Sequence, residues 1–440
     1  MTAYQPTLDF ARQLDAQDPL RSFRQQFHIP PAPNGDAECI YFCGNSLGLQ
    51  PRTARAAAEQ QFRNWQELAV EGHFRGDTPW LHFHKRVQDA AARLVGARPV
   101  EVVVMNNLTT NLHLLLISFY QPTPTRYKVL MEGGAFPSDQ YALESQVRLR
   151  GLSPDDAIVE LTPRPGEHTL RTEDILVKIE ELGSSLCTVL MGGINYYTGQ
   201  VYDMAAITQA SHAVGARVGF DLAHAAGNIP LHLHDWDVDF ACWCSYKYLN
   251  SGPGGVAGAF VHERFADQPE LLRLAGWWGY DEEQRFQMKK GFRPMRGAAG
   301  WQLANAAILT LAVHEAALAV HEAAGGMAAL RRKSELLTGY LEFLIRGLGL
   351  PASRLEIITP QDPAQRGCQL SLLVHQGGRN LFEHLMAAGI IGDWREPNVI
   401  RLAPVPLYNT FEEVFRAGEV LRNWATSRPA TEKEKKVTHV

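Results

Sequence analysis

The chain has 440 residues, of which 45% are hydrophobic and 20% charged, and its formal net charge is −5. A chain of this length and polarity builds one large globular core with room for a second, smaller domain. Charges of both signs are interspersed with no basic stripe for nucleic acid, and the longest apolar runs, such as residues 112–117, fall far short of a membrane span.

Residues 1–17 are polar, carry Asp9 and Asp15, and lack the apolar run of a secretory leader. The six cysteines (Cys39, Cys43, Cys187, Cys242, Cys244 and Cys368) are too few to staple such a chain, so reduced thiols in a cytoplasmic protein are expected. A helical pattern covers residues 8–27 and is followed by a Pro-rich connector at 30–33. Residues 51–95 keep helical spacing, interrupted at 72–79. From about residue 100 short apolar strands alternate with helices. Strands are predicted at 101–105, 127–131, 186–191, 217–221, 238–244 and 254–261. Helices open at Asn107 and near Ser138, and another spans 203–214. Such alternation specifies a mostly parallel sheet covered on both faces. A Trp- and Arg-rich loop region follows at 277–296. An Ala-rich helix over 301–324 then links to a smaller α/β unit, with helices at 328–346, 381–388 and 411–424 and strands near 355–359, 368–374 and 399–403. The tail, 427–440, is charged and almost free of apolar residues, which is the composition of a disordered segment.

Two strand ends carry chemistry. Asp221-Leu222-Ala223-His224 closes one strand, and Ser245-Tyr246-Lys247 closes the next. If the strands are parallel neighbours, a carboxylate and an amine project from one sheet edge. A buried carboxylate keeps a pyridine nitrogen protonated, which makes the ring an electron sink. A lysine amine forms a Schiff base with an aldehyde and then carries a proton at the substrate α-carbon. The pair therefore suits pyridoxal phosphate. A solvated lysine and a capping aspartate would explain it otherwise, but the buried strand before Asp221 and the Gly-rich turn after Lys247 weigh against that. Asn107-Leu108-Thr109-Thr110 opens a helix after a strand. Unpaired N–H groups there suit a phosphate, and an ordinary N-cap suits the same residues. No dinucleotide or triphosphate glycine loop is present. Phe136-Pro137-Ser138-Asp139 sits at another strand-to-helix turn, where Phe136 can stack on a cofactor or pack in the core. Arg401, inside an apolar strand, needs an anion, either a substrate carboxylate or an internal partner. His224, His232 and His234 with Asp235, Asp237 and Asp239 lack metal-ligand spacing, and no metal is expected.

Together these segments resemble the kynureninase family of pyridoxal-phosphate hydrolases, in the aspartate-aminotransferase fold superfamily. The similarity rests on Tyr41-Phe42-Cys43-Gly44-Asn45-Ser46-Leu47-Gly48-Leu49-Gln50-Pro51, on Phe136-Pro137-Ser138-Asp139 and on Phe220-Asp221-Leu222-Ala223-His224-Ala225. It also rests on Leu233-His234-Asp235-Trp236, Trp243-Cys244-Ser245-Tyr246-Lys247-Tyr248-Leu249-Asn250, Arg366-Gly367-Cys368-Gln369-Leu370 and Arg401-Leu402-Ala403-Pro404-Val405-Pro406-Leu407-Tyr408-Asn409. It spans residues 20–425.

The resemblance implies an α/β, aspartate-aminotransferase-like fold in these parts: an N-terminal segment, 1–60, on the small domain; a large cofactor-binding domain, 61–320; and a small C-terminal α/β domain, 321–426. It implies that Lys247 carries pyridoxal 5'-phosphate covalently, that Asp221 meets the pyridine nitrogen, and that His224 lies near the cofactor. Phe136 would stack on the ring beside Pro137. Leu108, Thr109 and Tyr246 would hold the phosphate with Ser138 and Asp139 nearby, and Trp277 and Asn305 would complete that side from a partner subunit. Ser46, His73, Asn305 and Arg401 would face the substrate, Arg401 on its α-carboxylate, and Tyr246 is also a candidate proton donor. Where family members carry a small hydroxyl residue this chain has Gly192, so no side-chain contact is expected there. The implied reaction is hydrolytic Cβ–Cγ cleavage of L-kynurenine to anthranilate and L-alanine, and of 3-hydroxykynurenine likewise. It would be carried out by a cytoplasmic homodimer in tryptophan catabolism or NAD precursor synthesis, with no nucleic acid or membrane partner. The alternatives are a cysteine desulfurase or selenocysteine lyase of the same fold, a metal hydrolase on the His/Asp loop, and a silent binding protein.

Overall fold

The protein is described by a computed structural model that covers residues 4–33, 35 and 37–426. The expected disordered tail, 427–440, lies outside the described residues. In chain order the strands are β1 (Ile40–Tyr41), β2 (Val102–Met105), β3 (Lys128–Glu132), β4 (Ile158–Leu161), β5 (Leu186–Gly192), β6 (Arg217–Asp221), β7 (Phe240–Cys244) and β8 (Ala257–Val261). They continue with β9 (Leu355–Ile357), β10 (Leu370–Val374), β11 (Ile390–Ile391), β12 (Asp393–Arg395) and β13 (Val399–Leu402).

Seven strands form one sheet in the order β2-β8-β7-β6-β5-β3-β4. All run parallel except β8, which is antiparallel to both its neighbours. The near-continuous apolar strands follow from burial on both faces. Val129 and Met131 face one core with the helices Leu108–Phe119 and Pro137–Leu149, while Leu130, Val189, Val218 and Phe220 face another with Gln88–Val95, Met204–Ala213 and Ile308–Ala323. Close packing sets the small residues. A Cβ at Gly219 would stand 2.1 Å from the Phe240 ring, and one at Gly258 2.1 Å from the Trp243 indole.

The second unit is an antiparallel sheet, β12-β13-β10-β9, backed by helices Gly326–Arg346, Gly378–Ala387 and Phe411–Thr426. The N-terminal segment is fastened to it. β1 pairs in parallel with β11, Ala11 enters the same core, and Asp15 accepts the Phe411 and Glu412 N–H groups at 2.8 and 2.9 Å, capping that helix.

Two expected helices are shorter than their periodicity suggests. The first stops at Gln17, because the Asp18 carboxylate turns back onto the Leu20 N–H (2.8 Å) and pairs with buried Lys333 (2.7 Å); a 3-10 turn, Arg21–Gln26, follows. The Ala-rich helix begins at Ile308, not at Trp301. Trp301 closes a 3-10 turn, donates its indole N–H to Ser118 Oγ at 2.9 Å, and lies under the Arg273 guanidinium. That anchorage fixes the chain in a direction the helix cannot continue.

Candidate active site

The site lies where the parallel strands end, at their carboxyl edge, the usual place for ligands in open α/β sheets. β6 and β7 are parallel neighbours, so Asp221 and the Lys247 loop leave the same edge. One cavity is lined by Leu108, Thr109, Phe136, Ser138, Asp139, Asp221, His224, Tyr246 and Lys247. The structure thus brings nine of the sequence-selected residues together. Pro137 opens the adjoining helix at its first position, where its missing N–H costs nothing.

At the floor Asp221 accepts the Ala223 N–H at 2.7 Å. Burial first, then the neighbouring Asp221, hold the Asp139 carboxyl well above the ordinary range, and Asp139 keeps the shared proton toward Asp221. Burial also raises Asp221, opposed by the Ala223 N–H and by Lys247. Asp139 Oδ1 is buried with no hydrogen-bond partner among the described residues. Nearer the mouth, Lys247 Nζ stands 3.0 Å from His224 Nε2 and 6.0 Å from the centre of the Phe136 ring. Burial, then Lys247 and the guanidinium groups of Arg401 and Arg395, push His224 far down, so its imidazole is neutral. Burial pushes the Tyr246 phenol up, reinforced by Cys244.

The phosphate side is built from a helix start. Asn107 accepts the Thr110 N–H at 3.0 Å, leaving the Leu108 and Thr109 N–H groups at the first turn, ahead of any intrahelical partner. Thr109 Oγ1 and Ser138 Oγ lie 2.9 Å apart across the cavity. An aldehyde-bearing pyridine phosphate fits this set: an amine for the aldehyde, a buried carboxyl pair with one oxygen left unpartnered for the ring nitrogen, and N–H and hydroxyl donors for the phosphate.

Arg401, wholly buried on β13, donates to the Tyr196 carbonyl at 2.6 Å, to Ser46 Oγ at 3.2 Å, and to Asp393. Tyr196 lines the cavity and its ring meets Phe136 edge-on at 5.3 Å, which places the Arg401–Ser46 cluster beside it. His73, Trp277 and Asn305 are not in the cavity within one chain. His73 is half-buried against Trp80 at 5.3 Å, Trp277 is 43% exposed, and Asn305 is exposed.

Sequence reasoning missed several residues. Glu132 ends β3 and lines the cavity; its two oxygens accept the Gly192 N–H at 3.1 and 3.2 Å. Its signal, a carboxylate closing an apolar strand, is the same one that marked Asp221. A Cβ at Gly192 would approach Glu132 Oε1 to 3.0 Å, so glycine there makes room for this carboxyl. Tyr196, Asp393 and Arg395 had no local signal. Several residues behind the rival readings have partners within the chain, while His234 stands with Glu101 and His262 so that one ligand atom of each lies within 4.8 Å of the others. Cys368 is fully buried with its thiol pushed up to about 12 by that burial, unlike a mobile thiolate. His234 bonds Glu101 at 2.9 Å, His232 packs on Trp236, and Asp239 pairs with His212 and Arg264.

Comparison with known proteins agrees with this geometry. Residues 40–366 match the aminotransferase class-V family and residues 330–421 the kynureninase C-terminal domain. Curated kynureninases from Koribacter versatilis (54% identical; 94% of this chain, 97% of the relative), Flavobacterium johnsoniae (53%; 95% and 98%) and Myxococcus xanthus (54%; 96% and 98%) align nearly end to end. Among solved structures, the apo cysteine desulfurase of Thermococcus onnurineus NA1 superposes with a TM-score of 0.71 over 88% of this chain and 94% of that one, at 17% identity. The cystine C–S lyase C-DES in complex with cysteine persulfide gives 0.71 over 88% and 97%, at 20% identity. At such identities these two share the fold alone. The chain belongs to the kynureninase family, pyridoxal-phosphate-dependent enzymes of the aminotransferase class-V fold.

Proposed function

We propose that this protein hydrolyses the Cβ–Cγ bond of L-kynurenine, releasing anthranilate and L-alanine, and acts on 3-hydroxykynurenine in the same way. The observation that carries the reading is one cavity holding Asp221 and Lys247 at adjacent strand ends in a chain more than half identical to curated kynureninases. Bound pyridoxal phosphate supplies a sink for electrons left at the substrate carbons. Asp221, backed by protonated Asp139, would keep a proton on the cofactor's ring nitrogen. Leu108, Thr109, Ser138 and Tyr246 would hold its phosphate, and Phe136 would stack on it with Pro137 setting the turn. Lys247 Nζ would bind its aldehyde and take the substrate α-proton, and neutral His224 would orient Nζ from 3.0 Å. Arg401 and Ser46 fix the α-carboxylate. Water adds at the γ-carbonyl carbon, which becomes the anthranilate carboxyl, and Tyr246 would deliver the proton that Cβ gains as the bond breaks.

The protein works as a homodimer in this reading, with Trp277 and Asn305 closing the phosphate side and His73 and Asn305 the substrate side from across the interface. Exposed Phe62, Trp65 and Leu309, beside an apolar groove along helix Ala54–Leu68, support a covered face there. Residues 61–320 form the cofactor domain and 321–426 the small domain, which carries Arg401 to the site with residues 1–60 packed on it. Among the described residues no helix is long and apolar enough to cross a membrane. We place the enzyme in the cytoplasm, in tryptophan catabolism or NAD precursor synthesis. The test is fluorescent anthranilate formed from L-kynurenine by cofactor-saturated protein; a yellow holoenzyme that forms none refutes the assignment. Mixing Lys247→Ala with Asn305→Ala protein should regenerate activity if sites are shared, and no recovery refutes the sharing.

A further inference from the structure

Three donors converge on one oxygen that is not a substrate's. Asp393, on β12, faces Arg401 directly across the β12–β13 pair. Its Oδ2 accepts from Ser46 Oγ, from Arg401 Nη2, and from Arg395 Nη2 at 3.1 Å. Ser46 and Arg401 are the groups that the proposed function gives to the α-carboxylate, so both are engaged by a carboxylate of the chain itself. The guanidinium Nε atoms of Arg401 and Arg395 are buried and find no partner among the described residues. The cluster aims two guanidinium groups and one hydroxyl at a single carboxylate oxygen, so the point on which all three donors converge is already occupied. It adjoins the reacting centre: Tyr196, whose carbonyl takes Arg401 Nη1, lines the cavity of Lys247, and the Arg395 guanidinium lies 5.9 Å from the Tyr196 ring.

We propose that Asp393 is the resident stand-in for the substrate α-carboxylate, filling the three-donor site formed by Ser46, Arg401 and Arg395 until the substrate's own carboxylate displaces it. The inference rests on the kynureninase reading for the identity of the displacing group. Without a counter-ion, a wholly buried guanidinium would carry an uncompensated charge whenever substrate is absent. Asp393 removes that cost and keeps both arginine forks aimed at one point. The consequence is competition: each substrate must win the site from a tethered carboxylate, so the apparent affinity is the intrinsic one reduced by the fraction of molecules in which the site is free. An amine without a carboxylate cannot make the exchange, so the device also selects for α-amino acids.

The test uses holoenzyme and L-alanine, read by the cofactor's absorbance change. Asp393→Asn keeps the shape and removes the charge, and L-alanine should bind about tenfold more tightly than to wild type. Equal or weaker binding overturns the proposal, because Asp393 then orients the arginines without occupying their anion's place. A second arm needs no turnover. Sodium formate, a carboxylate with no amine, should raise the melting temperature of Asp393→Ala by several degrees while barely moving wild type. No formate shift in the variant also overturns the proposal. If wild type ignores L-alanine altogether while formate still stabilises Asp393→Ala, the kynureninase reading has failed and the stand-in role survives it.

Discussion

Gly48→Ala is a single methyl group placed against the lysine loop. Gly48 donates its N–H to the Tyr246 carbonyl at 2.8 Å, and Asn250 Nδ2 returns a bond to the Leu49 carbonyl at 3.0 Å. The segment is thus laced to the 246–250 loop from both sides. A Cβ on Gly48 would lie 2.6 Å from the Asn250 Nδ2 side-chain atom and 2.1 Å from the Lys247 carbonyl oxygen, the latter more than an ångström inside ordinary contact with backbone that cannot rotate away. Relief requires the two strips of chain to part. Overpacking of this kind costs ~1–3 kcal/mol, and loss of the Gly48 hydrogen bond adds ~1 kcal/mol. Parting by about an ångström also carries Lys247 Nζ off its mark, a misplacement worth on the order of 10²-fold in rate. Melting temperature, the cofactor absorbance band and kynurenine turnover should therefore all change. Gly134→Ala is the control. Its added Cβ meets nothing within 4 Å, and only its φ of +70° is strained, so it should cost ~1 kcal/mol and leave turnover intact. A Gly48→Ala enzyme with wild-type stability and rate would refute the claim that this lacing positions the lysine.

Three further outcomes can be checked directly. Burial raises the Glu132 carboxyl from 4.5 to about 7. The native state then holds a proton that the unfolded chain releases near 4.5, so Glu132 weakens the cofactor-free protein progressively as pH rises from 4.5 through 7. Glu132→Gln should match wild-type stability below pH 4.5 and exceed it by ~3 kcal/mol above pH 7, as urea titrations across that range would show; a gain that does not grow with pH would contradict the assignment. Lys247→Ala should abolish turnover and borohydride-fixed cofactor, and peptide mapping that finds the label on another lysine would reject Lys247. Asp221→Ala removes the floor's charge and should weaken cofactor retention by ~10–100-fold in equilibrium absorbance titrations, with unchanged retention as the contrary result.

The sequence by itself determined the parts of this protein whose physics is local. Apolar runs of strand length and glycine where two elements touch are written within a few residues of one another, so six of the seven strands of the large sheet follow from them, whereas β4, half-exposed and carrying Glu160, does not. Asp221, Lys247, Thr109 and Phe136 were legible for the same reason, since strand-to-helix turns at one edge of a parallel sheet must share a site. Only the tertiary structure decided the rest. The helix expected from Trp301 starts later because its indole is held by Ser118, 183 residues away. β12 is a three-residue, half-exposed edge strand whose sequence resembles a charged loop. Asp393 acquires meaning only where a hydroxyl 347 residues distant and the neighbouring strand's arginine meet its carboxylate. Burial and electrostatic pairing belong to the assembled molecule: a carboxylate's character depends on which distant groups exclude water from it and which aim their protons at it.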